Sequence, residues 1–233
     1  MTPREIYVQA KTEHYLERAE ECCAMGRFPA ARRAIDQVFA LDPGNQVCAV
    51  LKQTVEEQFN ALLRHASRGI ENPGAANTVS GNDNGSGQGN GNGRRHGVSG
   101  NHRGDLIVVV DQDERLLSQL AAALPRHGYS FAGAASYDEA VELLSLITPD
   151  IVVSEVNFDC GARGCDLFLW MRTNSGLAQT PFMFQAIRLD SDILLAGKRF
   201  GVDDFLLKPV DGAVLAAAAT AVLHRRRSIP VAV

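Results

Sequence analysis

The stretch from residue 201 reads Gly201-Val202-Asp203-Asp204-Phe205-Leu206-Leu207-Lys208-Pro209, and it says most about the fold of this chain. A short, largely apolar run bounded by a glycine and a proline is typical of a β-strand, here Asp203–Leu207. Helical patterns flank it, at Asp190–Phe200 before the strand and at Val210–Arg227 after it. A helix, a strand and a second helix joined by short connections indicate one unit of an α/β sheet.

The same alternation of strand and helix runs back to Asp105. The first strand is a continuous aliphatic run, as expected where both faces of a strand are buried. Ser136 followed by Glu139 is the pattern of a capping box that opens a helix. Strict alternation with short connections predicts an open parallel sheet with helices on both faces. The predicted strands are Leu106–Val110, Tyr129–Ala134, Ile151–Glu155, Phe182–Gln185 and Asp203–Leu207.

A change of composition separates this region from the first part of the chain. Asn72–Gly104 is rich in glycine, asparagine and serine and has almost no large apolar residue. Such a segment cannot bury enough surface to offset the entropy of ordering it, so we expect a disordered linker. The predicted division is a helical domain at residues 1–69, a linker at residues 70–104 and an α/β domain at residues 105–229. A flexible linker implies that the two domains move independently.

Three helices are predicted before the linker. Thr2-Pro3 followed by Glu5 is typical of a helix start, and Gly26 ends the helix that opens there. Pro29–Leu41 is the second helix, and it begins with a proline and ends before Pro43. Apolar residues at helical spacing predict the third helix over Gln46–Ser67. The first part of the chain is therefore expected to be all-α.

Small and aromatic residues recur at fixed spacing through the first two helices, at Tyr15, Ala19, Cys22, Gly26, Phe28, Ala31, Ile35, Val38 and Pro43. This pattern resembles a single tetratricopeptide repeat, with the third helix in the place of a capping helix. Ala19 and Ala31 let the two helices approach closely, and Gly26 permits the tight turn between them. A generic helical hairpin explains the same pattern. One repeat cannot build the long groove of an array, so a small docking or dimerisation surface is expected.

The composition narrows the class of protein. Hydrophobic residues make up 45% and charged residues 21% of the 233 residues, which is ordinary for a globular protein. The net charge of −4 gives no general reason to expect nucleic-acid binding. No run approaches about 20 uninterrupted apolar residues, so no membrane span is expected. The five cysteines lack the spacing of a disulfide framework, which favours a reducing cytoplasm.

Four segments of the α/β region match one family in order. They are Val108-Val109-Val110-Asp111, Pro149-Asp150-Ile151-Val152-Val153-Ser154-Glu155, Pro181-Phe182-Met183-Phe184 and the stretch Gly201–Pro209. Together they resemble response-regulator receiver domains. That resemblance implies a flavodoxin-like (βα)5 fold with the parallel strand order 2-1-3-4-5. It also implies a site at the carboxyl ends of the strands.

The resemblance assigns roles to acidic residues at the ends of two strands. In receivers an aspartate takes phosphate from a histidine kinase, and two acidic residues after the first strand help to hold magnesium. Asp111 stands at the first of those acidic positions, whereas Gln112, a neutral amide, stands at the second. Asp113 falls one residue later, where a helix cap is expected. Glu155 stands at the phospho-acceptor position.

The remaining receiver positions lie on the fourth and fifth strands. Receivers use a Thr or Ser and a lysine to bind the phosphoryl oxygens, and an aromatic residue that responds to phosphorylation. Ala186 stands at the Thr/Ser position and has no hydroxyl, while Lys208 keeps the lysine. Phe205 stands at the aromatic position without a tyrosine hydroxyl. Asn157 matches the position from which a backbone carbonyl reaches the metal.

These substitutions predict a pseudo-receiver with a vestigial pocket. Glu155 is longer than aspartate by one bond of about 1.5 Å, and magnesium tolerates misplaced ligands poorly. No catalytic residue, enzymatic activity or cofactor is expected, and Asp111, Glu155 and Asn157 are weak candidates for magnesium. We expect a non-catalytic signalling adaptor of the two-component or phosphorelay type that acts by protein–protein interaction. The alternative is a functional response regulator that accepts phosphate at Glu155.

Two further interpretations stay open. Glu155 either pairs with Lys208 to imitate the phosphorylated state, or the pair only keeps the pocket neutral. Cys160 and Cys165 are either a redox pair beside the pocket or incidental. The resemblance places the partner-binding face at about Asp190–Arg227. Expected partners are proteins on this face and on the helical module, or a second copy of the chain, with no nucleic acid and no membrane.

Overall fold

The computed structural model describes residues 2–68, 104–156, 164–189 and 191–228. The predicted linker, apart from Gly104, lies outside the described residues, as do Asn157 and Cys160. Three helices form the N-terminal part: α1 (Pro3–Ala24), α2 (Phe28–Leu41) and α3 (Gln46–Arg68). The all-α prediction for this part of the chain is confirmed.

The α/β domain follows with alternating strands and helices. The first helix of this domain continues into a 3-10 helix at Leu124–His127, which contains Pro125. The other elements are β1 (Leu106–Val110), α4 (Glu114–Ala123), β2 (Ser130–Ala134), α5 (Tyr137–Leu144), β3 (Ile151–Glu155), α6 (Gly164–Thr173), β4 (Phe182–Ala186), α7 (Ser191–Phe200), β5 (Asp204–Leu207) and α8 (Gly212–Ser228).

The five strands form one parallel sheet in the order β2-β1-β3-β4-β5. This confirms the predicted flavodoxin-like order. Every residue of β1, β3 and β4 is buried, which is why these strands are nearly continuous apolar runs. Because parallel strands end at the same edge of the sheet, the residues that close β1, β3 and β4 lie side by side there.

Local caps fix the starts of the helices as the sequence predicts, with one exception. Thr2 and Glu5 form a full capping box on α1, and the Asp113 side chain accepts hydrogen bonds from two amides of α4. Ser136 Oγ accepts a hydrogen bond from the Glu139 amide at the start of α5. The Glu139 carboxylate, however, accepts from Arg27 of the helical part. This half of the predicted capping box is used for a contact between the two parts of the chain.

The turn between α1 and α2 packs against the β2 edge of the sheet. The Gly133 amide of β2 donates a hydrogen bond to the Gly26 carbonyl at 3.3 Å. A side chain at Gly133 would place its Cβ 2.8 Å from the Met25 carbonyl oxygen, so the approach requires glycine. Met25 is 6% exposed and shares a buried cluster with Ile107 of β1. The turn therefore covers an edge strand that would otherwise expose unpaired backbone groups.

A partly buried ion-pair network joins the same two parts. We call its residues Arg27, Glu114 and Glu139 the Arg27 clamp. The Arg27 guanidinium donates to both carboxylate oxygens of Glu139 at 3.0 and 2.8 Å, and to Glu114 Oε1 at 2.5 Å. Arg18 of α1 adds two hydrogen bonds to Glu114 at 2.9 and 2.6 Å. The expectation of independently moving domains is therefore wrong for this structure, because composition reports on a linker and not on contacts between the parts that it joins.

Acid is expected to weaken this contact through Glu114. Hydrogen bonds from Arg18 and the charge of Arg27 lower the pKa of Glu114 from 4.5 to about 2. A lowered pKa gives stability that is present above 4.5 and lost as the pH falls through about 2. We expect Glu114→Gln to be less stable than the wild type near neutral pH. Urea denaturation between about pH 5 and about pH 2 should show this difference shrinking, and a constant difference would contradict the assignment.

Within the described ranges, no helix is both long and apolar enough to cross a membrane.

Candidate functional site

The centre of the candidate site is Asp111, which directly follows β1 and is fully buried. Its Oδ1 accepts a hydrogen bond from the Asp113 amide at 2.8 Å. Its Oδ2 accepts a hydrogen bond from the Gln185 side-chain amide at 2.7 Å. A buried carboxylate needs such donors because removing it from water is costly. Asp111 is therefore held by its own loop and by strand β4.

The Lys208 ammonium lies between two carboxylates at the end of the sheet. Its Nζ is 2.6 Å from Asp111 Oδ2 and 2.8 Å from Glu155 Oε1. Glu155 ends β3 and Lys208 follows β5, where the Lys208 amide donates to the Ala186 carbonyl at 2.8 Å. The side chains of Lys208 and Glu155 are only 13% and 11% exposed. The pocket thus contains one ammonium and two carboxyl groups in a largely water-excluded place.

Charge and burial shift the pKa values of this pair. Burial raises the pKa of Glu155, and the nearby Asp111 raises it further, against the opposing hydrogen bond from Lys208. Burial alone would lower the pKa of Lys208, but its contacts with Asp111 and Glu155 outweigh that effect and raise it. Lys208 is therefore charged throughout the neutral range. Glu155 holds its proton to a higher pH than an ordinary glutamate.

The other predicted positions are spread around this pair. Ala186 is buried at the end of β4 and presents a methyl group, while Gln112 is exposed. The Phe205 ring lies 6.0 Å from the Phe184 ring and packs against Gly197 of α7, where a Cβ would come within 2.2 Å of Phe205 Cζ. The Phe205 side chain therefore faces α7, beside the pocket.

Sequence reasoning missed Gln185. It is fully buried, pairs with Glu155 in the sheet register and donates to Asp111. The available signal was a lone polar residue in the run Phe182–Ala186, because a buried amide nitrogen needs an acceptor, here Asp111 Oδ2 for Gln185 Nε2.

The donor set around Asp111 does not fit a magnesium site. Asp111 already accepts hydrogen bonds or ion pairs from Asp113, Gln185 and Lys208, and the Lys208 ammonium holds the position between Asp111 and Glu155. Magnesium needs several oxygen ligands in near-ideal octahedral geometry. Among residues that the structure describes, no group of three His, Cys, Asp or Glu is placed to hold a metal ion. Asn157, the third candidate ligand, lies outside the described residues.

Comparison with known families agrees with the fold of the α/β domain. Residues 107–220 match the family model described as "Response regulator receiver domain". Residues 107–220 are a receiver domain. The match begins in β1 and ends within α8, so it spans all five strands and the pocket at their carboxyl ends.

Relatives of the receiver domain include several regulators. The transcriptional regulatory protein AfsQ1 of Streptomyces coelicolor is 32% identical over 119 residues, which are 51% of this chain and 51% of that protein. The DNA-binding response regulator MtrA of Mycolicibacterium smegmatis is 27% identical over 124 residues, 53% of each chain. A response regulator structure from Desulfuromonas acetoxidans is 24% identical with a TM-score of 0.47, covering 52% of this chain and 97% of that one. The chain spans about half the length of the curated relatives it matches.

These relatives correct one sequence-based expectation. The partner set that excluded nucleic acid is wrong, because the receiver domain is shared with proteins named as transcriptional and DNA-binding regulators. A net charge of −4 averages over the whole chain and says nothing about a local surface.

Proposed function

We propose that this chain is a non-catalytic signalling adaptor built on a pseudo-receiver, which transmits signals by protein contact. The observation that carries the proposal is the Lys208 ammonium held between Asp111 and Glu155. The Glu155 carboxyl group already lies beside the Lys208 ammonium. A phosphoryl group would have to place its negative charge at the same position. A phosphoryl group entering here would have to displace a hydrogen-bonded ion pair.

A missing hydroxyl donor and the poor fit for a magnesium ion support the same conclusion. Transfer of a phosphoryl group requires its developing charge to be neutralised by cations and hydrogen-bond donors. Ala186 offers no hydroxyl, and the donors around Asp111 leave no fit for a magnesium ion. The extra bond of Glu155 displaces its carboxylate by about 1.5 Å, and a misplacement of about 1 Å can cost about 100-fold in rate.

A second candidate is a functional response regulator that is phosphorylated on Glu155. One observation favours it: Glu155 Oε2 is buried and has no hydrogen-bond partner in the described structure. An ionised, unpaired carboxylate oxygen is a nucleophile. It would attack the phosphorus of an acyl phosphate donor, forming a glutamyl phosphate and releasing the donor's carboxylate.

Mass spectrometry of the intact protein after incubation with acetyl phosphate and magnesium separates the two candidates. We expect no phosphoryl adduct on the wild type. The variant Gln112→Asp/Glu155→Asp/Ala186→Thr restores the second acidic residue, the shorter carboxylate and the hydroxyl, and we expect it to gain adduct. Glu155→Gln is the control for modification elsewhere. A single adduct on the wild type that is absent from Glu155→Gln would establish the second candidate.

The proposal also covers the helical module, the domain boundaries and the cellular compartment. Ala19 and Ala31 are both fully buried, which supports a tetratricopeptide-like packing of α1 and α2. We place the domains at residues 1–69 and 105–229 with the linker between them. A reducing cytoplasm fits the buried thiols of Cys22, Cys23 and Cys48, none of which forms a disulfide.

A further inference from the structure

The N-terminal helices contact the receiver at a surface that the family resemblance did not indicate. They reach the β2 edge and helices α4 and α5, whereas the family resemblance places the partner-binding face at α7, β5 and α8. The charges are complementary across this contact: arginines from the helices meet glutamates from the receiver. The pairs are Arg18–Glu114, Arg27–Glu114, Arg27–Glu139 and Arg33–Glu142.

Burial distinguishes this contact from a chance meeting of surface charges. Exposed ion pairs contribute little, but the side chains of Arg27 and Glu139 are only 6% and 3% exposed. Separating them would leave buried charges without partners. The backbone hydrogen bond from Gly133 to Gly26 and the buried Met25 belong to the same contact. The helices are therefore seated on the receiver by backbone, apolar and ionic contacts together.

We call the receiver surface that contacts the hairpin, formed by Glu114, Gly133 and Glu139, the seat. A short continuous segment of the chain connects the seat to the pocket. Asp111 lies in the pocket and accepts the Asp113 amide hydrogen bond. The Asp113 side chain caps α4 by accepting from the Arg115 and Leu116 amides. The next residue, Glu114, binds Arg27. A change in the position of Asp111 must therefore either break the Asp113 bond or move the first turn of α4, which carries half of the Arg27 clamp.

We infer that the α1–α2 hairpin is the receiver's own output element, coupled to the pocket through residues 111–114 and the Arg27 clamp. The pocket and the seat of the hairpin then behave as one unit with a shared equilibrium. A perturbation in the pocket loosens the hairpin, and the hairpin in turn stabilises the pocket, because coupling between two sites is reciprocal. This inference goes beyond the adaptor proposal and does not depend on whether Glu155 accepts phosphate.

The Gly133 amide is a direct probe of the seat, because its acceptor is the Gly26 carbonyl of the hairpin. Its hydrogen exchange can be followed by NMR on the full chain, with amides of β1 reporting global unfolding. Lys208→Met perturbs the pocket without touching the seat. Gln185→Met, which removes one donor to Asp111, serves the same purpose if the first variant fails to fold. Arg32→Met is the control, since Arg32 pairs with Glu56 inside the helical part.

Lys208→Met or Gln185→Met is expected to speed exchange of the Gly133 amide by about tenfold relative to the β1 amides, in line with couplings between residues of one network. Arg27→Met should speed it at least as much, and Arg32→Met should leave it unchanged. The inference is overturned if a folded pocket variant exchanges Gly133 as the wild type does. It is also overturned if Gly133 and the β1 amides accelerate by the same factor, because that outcome reports general destabilisation.

Discussion

Replacing Arg27 with methionine is expected to lower the free energy of unfolding by about 3–5 kcal/mol, the usual cost of removing one partner of a buried ion pair. Methionine keeps much of the length and apolar bulk of the arginine stem. What it removes is the only charge that Glu139 contacts in the Arg27 clamp, and Glu139 is 3% exposed. The cost arises from the carboxylate left buried more than from the lost attraction. Urea denaturation followed by the fluorescence of the single tryptophan, Trp170, measures the change.

Two matched variants identify the source of this loss. Arg32 makes the same bidentate contact to Glu56, but those side chains are 39% and 32% exposed, so Arg32→Met is expected to cost about 0–1 kcal/mol. Adding Glu139→Met to Arg27→Met removes the stranded charge and should recover most of the stability. If Arg27→Met costs no more than Arg32→Met, the Arg27 clamp is not buried in solution.

Lys208→Met is expected to cost about 3–5 kcal/mol near neutral pH for the same physical reason. It leaves the carboxyl groups of Asp111 and Glu155 together in a buried pocket with no cation between them. Lys198, an exposed residue of α7, provides the control, and Lys198→Met should change stability by no more than about 0.5 kcal/mol. Urea denaturation measures both variants.

The dependence on pH tests the role of Glu155 in that loss. A carboxyl group whose pKa is raised gives stability that is fully present below its ordinary value of 4.5 and lost as the pH rises through the raised value. Removing Lys208 takes away the contact that opposes the rise, so the deficit of Lys208→Met should grow from acid to neutral pH. Lys208→Met/Glu155→Gln should show a smaller deficit and a flatter pH profile. A deficit that is equal at all pH values would mean that Glu155 is not the destabilised group.

The parallel sheet could be predicted because its causes are local. Runs such as Leu106–Val110 carry their own burial signal, and glycine and proline mark the connections. The pairing of Glu155 with Lys208 was expected from the receiver resemblance, which places both residues at the carboxyl ends of the strands. The Gln185 contact could not be predicted in this way. A strand that is buried on both faces has no alternating pattern to show towards which face a given side chain points.

The Arg27 clamp could not be predicted because its partners are far apart in the sequence. Arg27 and Glu139 are separated by 112 positions, and each has a sufficient local explanation. Arg27 precedes a predicted helix, and Glu139 completes a capping-box pattern. The composition of the linker then suggested that no such contact exists. Long-range pairing of two polar residues becomes visible only when both helices are placed in three dimensions.

Met25 shows what this packing means for the unit that folds. By sequence it belongs to the helical part, yet its side chain is buried in the same apolar cluster as Ile107, Leu117 and Leu120 of the receiver. In global unfolding, residues that share one core lose their burial together and form one cooperative unit, although the hairpin can also open locally from the receiver. The boundary of that unit therefore does not fall at the linker. Part of the core of the receiver is contributed by Met25, which lies far before the receiver in the sequence.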